Sequence, residues 1–276
     1  MNKRIAIQGF EGSFHQLAAQ QFFGKNLSLV CCASFPELVK AAADKSVTDG
    51  ALMAIENSIA GSILPNYALL IKSQLKITGE VYLPIRQQLL ANPGVRLEDI
   101  REVHSHPMAL QQCLGFLEKH NWKLVETEDT ALSARLIAQH KNRHAAAIAG
   151  KLAAELFGLG IIAPNIHTQK YNLTRFLVLQ RPETVQIDDL ANKASVNFST
   201  DHSKGSLARV LSKIAACGVN LSKLQSMPIP GSDFRYSFHV DMEFGNLEQF
   251  KQTIQKIHPL TEGLQVLGVY KNGKQK

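Results

Sequence analysis

The chain has 276 residues, 45% hydrophobic and 19% charged, enough to bury the cores of one large or two modest domains. It holds no run of about eighteen apolar residues, and the apolar stretch in MNKRIAIQGF breaks at Gly9, so neither a membrane span nor a secretory signal is expected. The net charge of +7 is scattered and does not interleave with aromatics, which argues against nucleic acid and fits a small anionic ligand.

Strand and helix alternate from the start. RIAIQG reads as a strand and SFHQLAAQQFFG as a helix, with Ser13 as N-cap and Gly24 as terminator. LSLVCCA and FPELVKAAAD repeat the pair, and the strand DGALMAIEN leads through SIAGS into the helix LPNYALLIKS. Around KITGEVYLPIRQQLLANP the strands lengthen. Three further strand–helix pairs follow: REVHSH into PMALQQCLGFLEKH, WKLVETED into TALSARLIAQH, and HAAAIAG into KLAAELFG. HTQKYNLTRFLVLQ then crosses back. This α/β pattern predicts two lobes, the first at about 1–80 and 166–182 and the second at about 81–165, with a cleft at the C-terminal ends of the strands. The polar stretch 183–193 reads as a linker, and 194–276 has the βαββαβ order of a ferredoxin-like domain. The cysteines Cys31, Cys32, Cys113 and Cys217 show no C-x-x-C spacing and are expected to be buried, reduced thiols of a cytoplasmic protein.

The turns between strands and helices carry Gly12-Ser13, Glu56-Asn57-Ser58, Ser105-His106-Pro107 and Asp129-Thr130. Each such residue is an ordinary cap, but four polar helix starts also suit an anion, because unpaired N–H groups and the helix dipole point at it. Thr174 and Arg175 stand at the mouth of an apolar strand, where a buried guanidinium needs an anion or a structural partner such as Glu56. GFEGS is neither a dinucleotide fingerprint nor a P-loop, and Ser58 lacks the G-x-S-x-G elbow. His104 and His106 have a ligand spacing without an accompanying carboxylate or cysteine cluster, so no metal is expected.

Together GSFHQLAA, IENSIAGSI, SHPMALQQC, EDTALSA and NLTRF resemble the prephenate dehydratase family, and GSLARVLSKIAACGVNLSKLQSMP resembles the amino-acid-binding segment of an ACT domain. The resemblance covers nearly the whole chain and is to the monofunctional form, since no chorismate mutase segment precedes the first strand. It implies a catalytic domain of the two-lobed, periplasmic-binding-protein-like kind over 1–182, and an ACT regulatory domain over 194–276. The implied reaction takes prephenate to phenylpyruvate, carbon dioxide and water with no cofactor. Thr174 then hydrogen-bonds the leaving hydroxyl and Arg175 clamps a carboxylate. Ser13, Asn57, Ser58, Gly61, His106, Thr130 and Phe176 become substrate-site residues, although Phe176 also suits the core and His106 a helix cap. Gly205, Ser206, Leu207, Asn220 and Leu221 would bind the effector L-phenylalanine between paired domains of a homodimer or homotetramer. The chain departs from the family at Gln225-Ser226-Met227-Pro228, where Glu-Ser-Arg-Pro is usual, and at Gln87, where many relatives have His. Rival readings are an arogenate dehydratase and a non-catalytic amino-acid sensor.

Overall fold

The protein, as a computed structural model, is described over residues 2–233 and 235–274. It is a mixed α/β fold that divides into two compact units, Met1–Ile63 with Val81–Phe176, and Leu64–Glu80 with Leu177–Lys276.

The first unit opens with β1 (Lys3–Gln8), α1 (Phe14–Phe23), β2 (Leu27–Cys32), α2 (Phe35–Ala43) and β3 (Gly50–Asn57). β1 lies parallel between β2 and β3, the geometry that βαβ connections require. Ser13 caps α1 by accepting from Gln16 N, and Gly24 ends it at φ 87°. A short β4 (Gly61–Ser62) folds back antiparallel on β3. The next helix, α3 (Leu64–Lys72), and the first half of β5 (Lys76–Pro84) belong to the second unit.

The second lobe of the first unit comprises β6 (Gln88–Ala91), β7 (Glu102–Ser105), α4 (Pro107–Gln112), α5 (Leu114–Leu117), β8 (Lys123–Glu126), α6 (Thr130–His140), β9 (Ala145–Ala149), α7 (Lys151–Phe157) and β10 (Gly160–Ala163). Its sheet runs β10-β6-β9-β7-β8, with β7 parallel to both neighbours and β6 antiparallel to both of its own. Two local features differ from the sequence reading. PMALQQCLGFLEKH is broken at Cys113 rather than continuous, because Thr168 takes over the bonding there. Thr168 N donates to Gln112 O (2.8 Å), and Gly115 N donates to Thr168 Oγ1 (3.2 Å). The four-residue β10 is an additional strand, too short to show a period of its own. β11 (Leu173–Gln180) then returns beside β3, completing the order β11-β3-β1-β2 in the first lobe.

The second unit continues with β12 (Lys193–Ser199), α8 (Ser206–Ala216), β13 (Asn220–Pro228), β14 (Tyr236–Glu243), α9 (Leu247–Ile257) and β15 (Glu262–Tyr270). Its strand order, β13-β14-β12-β15, is that of a ferredoxin-like sheet, and the first half of β5 adds beside β15. A Cβ on Gly268 would collide with the backbone carbonyl of Ile77, so this close approach of strands depends on glycine. Successive residues of β12 face opposite ways. Ala194, Val196 and Phe198 join the apolar core with Val210, Ile214 and Phe250 of the two helices. Lys193, Ser195 and Asn197 occupy the other face and are buried too. There Lys193 Nζ donates to both carboxylate oxygens of Glu80 (2.9 and 3.1 Å), and the His239 ring stands 4.7 Å from that of Tyr67.

The thiols correct one expectation. All four are free, and Cys32 and Cys113 are buried, but Cys31 is exposed and Cys217 half-buried. Cys31 stands near the end of the edge strand β2, where solvent reaches it, while Cys217 caps the end of α8. Among the described residues no helix is long and apolar enough to cross a membrane.

Candidate active site

Within the first unit the two lobes meet at glycines. Gly9, at φ 91°, leaves room for Asp129: a Cβ there would lie 2.8 Å from Asp129 Oδ2. Gly12, at φ 88°, faces α7, where the same atom would lie 3.1 Å from Ala153 Cα. The N-terminal ends of α1, α6 and α7 therefore converge, each with first-turn N–H groups that favour negative charge. Ser13 is buried at this junction. Asp129 caps α6 by accepting from Leu132 N (2.9 Å), and burial pushes its carboxyl above the ordinary value. Thr130 is the first residue of that helix. His106 caps α4 through Nδ1, which accepts from Met108 N at 3.2 Å. His104 points elsewhere, with Nε2 3.0 Å from Glu102 Oε1.

Where β3 ends and β11 begins, a directional set of hydrogen bonds surrounds Thr174. The Asn57 side-chain oxygen accepts from Ile59 N (3.0 Å) and Ala60 N (2.9 Å). Backbone N–H groups only donate, so the amide of Asn57 is fixed in one orientation and its NH₂ must face β11. That NH₂ donates to Thr174 Oγ1 (2.9 Å), to Asn172 Oδ1 (2.7 Å) and to Leu173 O (3.2 Å). The Thr174 oxygen thus acts as an acceptor, and among the described residues no acceptor meets its hydroxyl hydrogen. The residue is 9% exposed. Asn172 Nδ2 in turn donates to Gln112 Oε1 (3.0 Å) on α4.

Arg175 is 4% exposed, with its guanidinium carbon 5.9 Å from the Tyr82 ring centre. Ser58 is occupied with β11: its N donates to Leu173 O (2.8 Å), and its Oγ accepts from Leu173 N (2.9 Å). Gly61, exposed at φ 83°, pairs with Asn57 and closes the turn. Phe176 lies in the interior, its ring edge-on to His15 at 5.0 Å. Burial pushes the His15 imidazole down to about 4.

The structure thus brings Asn57, Ser58 and Thr174 together. It gives Ser13 and His106 capping bonds at helix starts, with Thr130 opening α6, and sets Phe176 into packing. Sequence reasoning passed over Gln112, Asn172 and His15. Each lies inside a quoted motif, and the only local signal is a polar residue beside a buried one, such as Gln112 before Cys113.

In the second unit, Ser206 and Leu207 line a cavity of about 270 Å³ with Thr200, Lys204, Arg235 and Phe238. Gly205 starts α8 at φ 76°. Asn220 and Leu221 do not line this cavity. Asn220 donates to Glu243 Oε2 (3.4 Å), and Leu221 packs against the helix-covered core.

Residues 5–184 match the profile of the family described as Prephenate dehydratase. The chain is 36% identical over 277 residues to arogenate dehydratase/prephenate dehydratase 2 of Arabidopsis thaliana, covering 97% of this chain and 72% of that protein. It superimposes with a TM-score of 0.88 on a prephenate dehydratase from Arthrobacter aurescens solved with L-Phe, at 26% identity over 99% of this chain and 91% of that one. The TM-score is also 0.88 against GqqA, described as a novel type of quorum quenching acylase, at 29% identity over 98% of each chain. With about two thirds of its length matched by the family profile, and with a relative 36% identical along 97% of it, the chain belongs to the prephenate dehydratase family.

Proposed function

We propose that the protein converts prephenate to phenylpyruvate, carbon dioxide and water in the cytoplasm, as a step of L-phenylalanine biosynthesis. The catalytic function is assigned to residues 1–182 and regulation to 194–276, joined by 183–193. The observation that carries the reading is the Thr174 hydroxyl, held so that its oxygen accepts and its hydrogen is left to donate.

The chemistry asks for such a group. As prephenate loses carbon dioxide, the electron pair of the breaking C–C bond moves through the ring and expels the hydroxyl on the opposite carbon, leaving an aromatic ring. Aromatisation supplies the driving force, so no cofactor or covalent nucleophile is called for. Hydroxide is a poor leaving group and needs hydrogen bonding as charge develops on it. Thr174 gives that bond, and one net proton taken up from the bulk solvent joins the expelled hydroxide to make the released water. Arg175 and the converging helix starts at Ser13 and Thr130 hold the carboxylates, while the closing lobes strip water from the one that leaves.

Arogenate is the second reading. It carries an ammonium where prephenate has a ketone, and the Asp129 carboxylate at the lobe junction is a counter-charge such a group would meet. Purified protein incubated separately with prephenate and arogenate, with phenylpyruvate and phenylalanine quantified, tests both. Turnover of neither would reject the dehydratase reading. A preference for arogenate that reverses in Asp129→Asn would establish the second.

Feedback by L-phenylalanine at the cavity beside Ser206 and Leu207, in a homodimer or homotetramer, is supported by the relative solved with L-Phe. The effector inhibits only by binding the less active state more tightly. A turnover rate that does not change with phenylalanine would remove this part of the proposal.

A further inference from the structure

The hydrogen bonds around Thr174 continue beyond Asn57, and the geometry points to Asn172 as a positioning residue that ties the direction of the Thr174 hydroxyl to the second lobe. The chain of bonds is Gln112 Oε1 ← Asn172 Nδ2, Asn172 Oδ1 ← Asn57 Nδ2, Asn57 Nδ2 → Thr174 Oγ1, at 3.0, 2.7 and 2.9 Å. Every link has a fixed sense. The Ile59 and Ala60 amides set the Asn57 side chain, Asn57 requires an oxygen from Asn172, and this turns the Asn172 nitrogen to Gln112.

Gln112 belongs to a different lobe from Asn57 and Thr174, and its own backbone carbonyl is held by Thr168 N (2.8 Å). Asn172 therefore joins an element of the second lobe to the catalytic turn of the first. Asn57 has only two amide hydrogens and three acceptors in reach, Asn172 Oδ1, Thr174 Oγ1 and Leu173 O. With the shortest bond, to Asn172, in place, the second hydrogen is left for the Thr174 oxygen. If Asn172 withdraws, the first hydrogen turns to the Leu173 carbonyl and swings the planar NH₂ with it, which draws the second hydrogen off the Thr174 oxygen and loosens the bond that keeps the Thr174 hydrogen for substrate. Asn172 is 3% exposed and its polar atoms are bonded within the protein, so it acts on Thr174 rather than on substrate.

The inference rests on the dehydratase reading, and the test separates the two. Wild type is first assayed for prephenate and arogenate turnover; inactivity there counts against the reading of function, before any variant is compared. Asn172→Leu, similar in size but unable to bond, is expected to lower kcat at least tenfold while KM stays within about threefold. Asn172→Asp keeps an oxygen facing Asn57, and the Gln112 amide turns to donate to it. It is expected to retain kcat within about threefold, with KM raised by the added negative charge. Gln112→Met, which cuts the far link, should resemble Asn172→Leu and serves in its place if that variant does not fold by circular dichroism. Leu and Asp variants that lose kcat alike, or a Leu variant with kcat within threefold of wild type, would overturn the positioning role.

Discussion

Two buried hydroxyls, one in each unit, are used in opposite ways. Ser195 on β12 is fully buried, donates to Asp241 Oδ1 (2.5 Å) and meets the Tyr270 hydroxyl (2.7 Å). Its donor and acceptor capacity are both spent inside the fold. His239 Nε2 lies 3.2 Å from the same aspartate, and the buried Lys193 ammonium pairs with the Glu80 carboxylate. Thr174 has its acceptor capacity spent on Asn57, while its hydrogen has no acceptor among the described residues. The closed network contributes to holding one arrangement, whereas the open one presents a directed donor. Burial alone does not distinguish a hydroxyl spent inside the fold from one left to donate; the direction of its hydrogen bonds does.

The sharpest test of the closed network is Lys193→Met. Removing one partner of a buried pair leaves an uncompensated charge, and about 3–5 kcal/mol of stability should be lost in denaturant titration. A loss below about 1 kcal/mol would show that water already reaches Glu80. For the open network, Thr174→Ala should cost about 100-fold or more in kcat, equivalent to about 2.7 kcal/mol, with the fold retained. Unchanged turnover would remove the contrast between the two hydroxyls.

His15 checks whether the first unit also contains a buried group that matters only for stability. Its imidazole is held near 4 in the folded chain, so between that value and the ordinary value near 6.5 the unfolded chain binds the extra proton. Stability should therefore fall as pH drops through this window, by about 2 kcal/mol between pH 7 and 4.5. His15→Phe should lose that portion; parallel unfolding curves for the two proteins would contradict it. The smallest effect is expected of Ser195→Ala, about 1–2 kcal/mol of stability with kcat unaltered, because Asp241 and Tyr270 each lose one partner. A change in turnover there would break the comparison from the other side.

Local chemistry made much of this legible. Ser13, Gly24 and Asp129 are residue types whose cap geometry is decided within four positions, and the structure places them at those ends. The alternation of strand and helix, and the ferredoxin-like order after residue 193, follow from short-range periodicity in the same way. The site was legible as a set of motifs but not as a set of bonds. Asn57 and Thr174 are 117 positions apart, and Gln112 and Asn172 are 60 apart, so no window shows that these amides and hydroxyl meet. Ser58 illustrates the same limit. Its hydroxyl looked available for a ligand, yet it serves the main chain of a strand 115 residues later. The buried polar face at Lys193, Ser195 and Asn197 was hidden because KASVNFS alternates as a strand with one wet side would.

The path of Leu64–Glu80 has a practical consequence for anyone recombining proteins of this type. This segment leaves the first unit after Ile63, delivers Tyr67 and Glu80 to the second, and re-enters at Val81. A chimera spliced once, near residue 182, would set these two side chains against a sheet from another protein and part Glu80 from Lys193. Exchange of the second unit therefore calls for two exchanged pieces, seventeen residues from the middle of the chain together with its C-terminal part.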